Sequence, residues 1–129
     1  MNRLNRIKWS VRAGVFAVAL VVLSCLTGLD DVDWQVYGMA PLTPSLEYEE
    51  QYHQAEDCLV MLGDFSKVRW FLVDSLKFGG RHYGGRWVKP HDIYLLKLHS
   101  WEAVRHEAIH DIRGRGGHPS GIFPRCAPN

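Results

Sequence analysis

Arg105-His106-Glu107-Ala108-Ile109-His110-Asp111 is the stretch from which the fold is read. It contains the pattern H-E-x-x-H, and His118 follows further along the chain. Four residues correspond to about 400° of helical rotation, so on a helix both imidazoles leave one face, one turn apart. That spacing suits two nitrogen donors on one tetrahedral Zn²⁺, at roughly 2.0–2.1 Å each. Glu107 projects beside them. There a carboxylate takes a proton from a metal-bound water rather than binding the metal itself.

The flanking residues make the stretch a helix with a start and a stop. Ser100 is the expected N-cap, Glu102 falls in the first turn and Arg113 in the last. Gly114, Gly116 and Gly117 end it. Trp101, Val104, Ala108 and Ile112 recur on one stripe at helical spacing. His106 and His110 point to the opposite side, with Glu107 between the two sectors. The helix is therefore expected to pack its stripe on a sheet and to turn the histidines towards a cleft. Beyond it, residues 117–126 read as an irregular tail. Pro119 bars His118 from a continuing helix and places it on a loop, with Ile122 and Phe123 as core anchors.

Upstream, Ser45 to Leu62 reads as a first helix. Ser45 is its N-cap, Glu47, Glu49 and Glu50 favour the positive end of the dipole, and Gly63 is its stop. Leu46, Tyr48, Tyr52, Ala55, Leu59 and Leu62 give it an apolar face, and Cys58 lies on it; His53 and Glu56 read as part of a solvated face. Lys67 to Val73 is the clearest strand, because Val68, Trp70 and Leu72 alternate with a mixed face. Phe78 to Gly85 holds four glycines and reads as a loop or wide hairpin. Arg86–Lys89 and Asp92–Leu98 are two further strands, with a bend at Pro90. His82, His91, Tyr83 and Tyr94 either line a cleft or are structural. The expected class is α+β: two main helices packed on a short, mostly antiparallel sheet.

The N-terminus differs from the rest of the 129-residue chain. Arg3, Arg6, Lys8 and Arg12 precede the first acidic residue, Asp30, and Ala13 to Leu23 is an uncharged apolar run. A basic segment followed by an apolar one reads as a secretory signal, with an uncleaved anchor as the alternative. Val22-Leu23-Ser24-Cys25 resembles the bacterial lipobox, which implies lipidation of Cys25 after removal of residues 1–24. Residues 25–44, with Asp30, Asp31 and Asp33 and then Gly38, Pro41 and Pro44, read as a tether in which Trp34, Val36 and Tyr37 form a short strand or dock on the domain. The domain itself is expected over 45–129. Removing four of the 15 basic residues leaves 11 against 14 acidic ones, a net charge of −3. No basic patch for nucleic acid remains. With Cys25 lipidated, Cys58 and Cys126 are left in an oxidising compartment, paired as a disulfide or buried as two thiols.

His106-Glu107-Ala108-Ile109-His110 resembles the active helix of the zincin metallopeptidases. With the glycine-rich turn, His118-Pro119 and the final Cys126, the C-terminal quarter is similar to small bacterial, often lipidated metallopeptidases. The resemblance implies a small zincin-like domain with Zn²⁺ as cofactor. His106 and His110 are its ligands, Glu107 the general base and His118 the third ligand. The chain departs from the family's two main patterns. Arg113 and Gly116 stand where one subgroup has Gly and His, and no Glu follows Glu107 to serve as the third ligand of the other. Asp111 is the rival to His118, and is better read as an acceptor holding an imidazole N–H.

The implied reaction is hydrolysis of a peptide bond in a peptide or protein substrate. The substrate binds as an added strand along an edge, with Tyr94's strand as the candidate edge. Tyr83, Tyr94, His82 and Arg105 are the candidates for stabilising the oxyanion. The expected location is the bacterial cell envelope, lipid-anchored to the membrane facing the periplasm, or secreted. The alternative is a non-catalytic periplasmic lipoprotein, in which the same histidines form a structural zinc site or serve partner binding.

Overall fold

A computed structural model describes residues 34–128. The expected signal segment, Cys25 and the first part of the tether lie outside the described residues. The elements are β1 (Trp34–Tyr37), β2 (Ala40–Leu42), α1 (Leu46–Leu59), β3 (Arg69–Val73), β4 (Ser75–Phe78), β5 (Arg81–His82), β6 (Gly85–Val88), β7 (Asp92–Leu96), α2 (Trp101–Arg113) and α3 (Ile122–Cys126). The class is α+β. Among the described residues no helix is long and apolar enough to cross a membrane.

One sheet has the order β2-β3-β7-β6, the other β1-β4-β5. All pairings are antiparallel except β3 with β7, which is parallel. The pairing is thus mostly antiparallel, as expected, with one parallel pair inside the four-stranded sheet. The two sheets share continuous chain at Gly38 and Asp74. Gly38 has φ +67°, and a Cβ there would fall 1.8 Å from Asp74 Oδ2, so the crossing accepts only glycine. The Asp74 amide donates to the Tyr37 carbonyl at 2.8 Å, and its carboxylate meets Lys97 Nζ at 2.6 Å.

α1 and α2 cover one face of the four-stranded sheet. Tyr52 and Ala55 of α1, Ile93 and Leu95 of β7, and Val104, Ala108 and Ile109 of α2 are all fully buried in this core. Opposite them Phe71 and Tyr94 stack across the parallel pair, with ring centres 5.1 Å apart. α2 follows the sequence reading closely. Ser100 accepts the Ala103 amide at 3.3 Å, and Gly114 closes the helix in the left-handed region, with its amide on the Asp111 carbonyl and that of Arg115 on the His110 carbonyl.

Four expectations are corrected. First, α1 ends at Leu59 rather than Leu62. Val60, at φ +54°, closes it with the same paired bonds that Gly114 uses in α2. Gly63 serves a different need: its amide donates to Glu56 Oε1 at 2.7 Å, and a Cβ there would lie 2.3 Å from the Tyr52 hydroxyl. Ser45 does start α1, but its hydroxyl donates to the Glu47 carboxylate instead of capping an amide. Second, beyond the short strand expected at Trp34–Tyr37, which forms as β1 on β4, the stretch read as a tether also supplies β2, paired with β3. Third, Tyr94's strand is not an edge: β7 lies between β3 and β6, and β6 is the edge beside α2. Fourth, the tail carries one helical turn, α3, in which Pro124 sits in the first turn where no amide is needed. The glycine-rich segment is a tight hairpin, with Gly79 and Gly80 both at positive φ between β4 and β5.

Cys58 of α1 and Cys126 of α3 form a disulfide, with Cα atoms 5.6 Å apart. It fastens the end of the tail to the first helix. The segment between α2 and α3, which carries His118, is thereby anchored on both sides.

Candidate metal centre

The three histidines converge. The ligating nitrogens of His106, His110 and His118 all lie within 4.8 Å of one another. His106 and His110 come from the same face of α2, and His118 folds back from the loop that Gly114 and Gly117 turn. An imidazole centre sits about 3.2 Å from a zinc it ligates, so three ligands on a tetrahedron have ring centres about 5.2 Å apart. The three ring–ring distances here are 5.2, 4.9 and 5.0 Å. The donor set therefore fits Zn²⁺ in both chemistry and spacing.

Protonation also suits ligation. His110 Nδ1 donates to the Arg115 carbonyl at 3.2 Å, which leaves Nε2 as the nitrogen with the lone pair. His106 Nε2 lies 2.9 Å from His118 Nε2. Burial, with His110 and His118 adding to it, holds the His106 pKa down to about 4. Burial likewise lowers that of His110. Both rings are neutral at pH 7, the form a metal binds.

Phe123 was expected only as a core anchor. Its ring lies 4.4, 4.8 and 4.5 Å from those of His106, His110 and His118. Phe123 is buried and belongs to the core, whereas His118 is exposed. It thus closes the inner side of the three rings and leaves the outer side open.

Glu107 is 6 % exposed, packed under the edge strand β6. It accepts the Trp87 backbone N–H. The Leu96 amide bonds to the Gly84 carbonyl at 3.0 Å; by the alternation of an antiparallel ladder, the backbone groups of Gly85 and Trp87 then turn outward. The carboxylate is therefore held at the free edge of the sheet. A Cβ on Gly85 would lie 2.8 Å from Glu107 Cγ and 3.1 Å from Oε1. Gly85→Ala is accordingly expected to displace Glu107 and to cost about 1–3 kcal/mol in urea unfolding, as overpacked sites do.

Burial raises the Glu107 pKa to about 8, against smaller opposing effects of the Trp87 amide and Arg86. A carboxyl whose folded pKa exceeds its unfolded value stabilises the fold at low pH and loses that contribution as pH rises through the folded value. His106 acts in the opposite sense, its contribution growing as pH rises from about 4 to 6.5. Above pH 6.5 the buried group still changing is Glu107, while the exposed His53, whose pKa the Glu56 hydrogen bond raises, changes in the same sense. The metal-free protein is expected to lose stability between pH 6.5 and about 8. Glu107→Gln should remove the larger part of that loss, and urea melts at the two pH values check both statements.

Asp111 is not drawn to the histidine trio. Its buried carboxylate accepts Tyr52 Oη at 2.7 Å, Trp87 Nε1 at 3.0 Å and His91 Nδ1 at 3.0 Å. It does hold an imidazole, but that of His91. Its link to the trio is indirect: Trp87 stacks on His110, with ring centres 6.3 Å apart and planes at 17°. No local sequence pattern marks Trp87, because its place depends on β6 pairing with β7. The expected oxyanion candidates are spent elsewhere. Arg105 donates twice to Gln51 of α1, Tyr94 stacks on the far face of the sheet, Tyr83 packs on Trp34, and His82 lies exposed on β5.

Compared with protein-family models, curated proteins and solved structures, the chain matches none.

Proposed function

We propose that the chain is a zinc-dependent hydrolase of the zincin kind that cleaves peptide bonds. The observation that carries this reading is the conjunction of three convergent imidazoles with a carboxylate on the next residue of α2, held at a free sheet edge. His106, His110 and His118 would hold the zinc. When bound, zinc polarises a carbonyl and lowers the pKa of water to about 7. The chain's own residues supply the rest. β6 offers the outward backbone groups of Gly85 and the Trp87 carbonyl, the Trp87 amide being held by Glu107, and on these a substrate strand adds by backbone hydrogen bonding. This places the substrate beside Glu107, which accepts a proton from the attacking water and returns it to the leaving amine. A nearby dication favours the ionised carboxylate and so opposes the effect of burial on Glu107. Phe123 and Trp87 shield the inner side of the site from water.

The segment 1–24 and Cys25 support a lipid-anchored protein of the bacterial cell envelope that acts on peptides there. A second reading rests on the burial of Glu107 and on the packing of Phe123 against all three rings. In it the trio is a structural zinc site of a non-catalytic lipoprotein. A mixed library of quenched fluorescent peptides separates the two. Cleavage by the full chain that stops with chelator and returns with zinc is the expected result. Zinc-replete protein that cleaves nothing contradicts the hydrolase reading.

A further inference from the structure

Charge is segregated along this chain. Residues 45–64, which build α1 and its exit, hold six acidic residues and no Lys or Arg. Residues 75–91, which build β4, β5 and β6, hold Lys77, Arg81, Arg86 and Lys89 and no acidic residue. Lys77, Arg81 and Lys89 carry no ion pair among the described residues. The face that carries Arg81, cross-strand partner of Phe78, and Arg86 is aromatic. Trp34 stacks with Phe78 at 5.0 Å and meets Tyr83 at 5.0 Å, and the Arg86 guanidinium lies 4.3 Å over its ring. Phe78 and Tyr83 are both more than a third exposed.

This surface borders the free edge of β6. Tyr83 and Gly84 lead into the strand, Arg86 lies within it and Lys89 follows it. A peptide added along β6 would send alternate side chains to the α2 side and to the far side of the sheet. On the far side they meet Arg86 and the aromatic cluster over which it lies, with Arg81 beside Phe78. Carboxylates there gain from Arg81 and Lys89, which carry no ion pair among the described residues, and apolar side chains gain from the Trp34–Phe78–Tyr83 cluster. Lysine-rich segments are repelled from it.

We propose that the ligand of this edge, and on the hydrolase reading on which this rests its substrate, is an acidic peptide segment bearing an aromatic residue. The test uses the full chain carrying Glu107→Gln, which retains the edge but lacks the proton acceptor. Two fluorescent peptides with identical aromatic and neutral positions are compared, one with Glu and one with Lys at the remaining positions. The acidic peptide is expected to bind about tenfold tighter, with the advantage shrinking as salt rises from about 50 to 500 mM. Adding Arg81→Glu and Lys89→Glu, both at exposed positions, should abolish the advantage without changing the melting temperature. Equal binding, absence of binding by either peptide, or a preference that survives both substitutions overturns the proposal. If the wild-type chain cleaves neither peptide while the acidic one still binds Glu107→Gln, the hydrolase reading falls and the acidic preference stands. Equal binding with zinc-dependent cleavage of both peptides has the opposite meaning.

Discussion

Glu107→Gln is expected to keep one zinc per chain and to lower peptide hydrolysis by about 10²–10⁴-fold, the usual range for removing a positioned proton acceptor. Gln preserves the shape and the oxygen that accepts the Trp87 N–H, so the edge of β6 keeps its geometry. What it removes is the ability to take and return a proton. The wild-type carboxyl is buried under Gly85 and Trp87, so the substitution relieves rather than adds a titrating group in the core. The variant should therefore be at least as stable as wild type above pH 6.5 while being inactive. Zinc content, melting temperature and kcat/KM on one peptide decide the matter together. An unchanged kcat/KM removes Glu107 from the reaction; loss of zinc along with activity makes it a prop of the site.

Removing the disulfide is expected to be the largest perturbation of the fold. Cys58 and Cys126 lie 68 residues apart in sequence. Constraining a loop of that length in the unfolded chain is worth about 4 kcal/mol, a large share of the 5–15 kcal/mol typical of a whole domain. The bridge also bears on the metal centre. It holds α3, and α3 carries the Phe123 ring against all three histidines. A Cys58→Ser, Cys126→Ser protein should unfold at correspondingly lower urea and bind zinc more weakly, even at temperatures where it stays folded. Titration with a competing chelator measures the second effect. Weaker folding with unchanged zinc affinity would show that the His118 loop holds its place without the bridge.

Local signals explain why α2 was so legible in the sequence. Ser100 and Gly114 mark its ends through hydrogen bonds within four or five residues, and the spacing of His106 and His110 sets their common face. The disulfide is one of the two states the sequence leaves open for Cys58 and Cys126, and His118, the third ligand that the family resemblance implies, is the residue that joins the helix pair rather than its rival Asp111. What could not be read depends on which strands become neighbours. Alternation in residues 92–96 marks a strand but not that it runs parallel to β3 in the sheet interior, so Tyr94 was placed at an edge that belongs to β6. The same non-local pairing brings Trp87 to His110 and Gly85 to Glu107, and it turns Asp111 towards Tyr52 and His91. Val60 shows a further limit: it adopts a left-handed φ that favours glycine, while the nearby Gly63 is needed for close packing on Tyr52.

The central claim is that His106, His110 and His118 together hold one zinc ion. Metal content of the purified full chain, measured beside that of His110→Ala and His118→Ala, tests it most directly. About one equivalent in the wild type, falling below about a tenth in each variant, is the result expected of three cooperating ligands. Less than about a tenth of an equivalent in the wild type, or wild-type content retained in both variants, contradicts it.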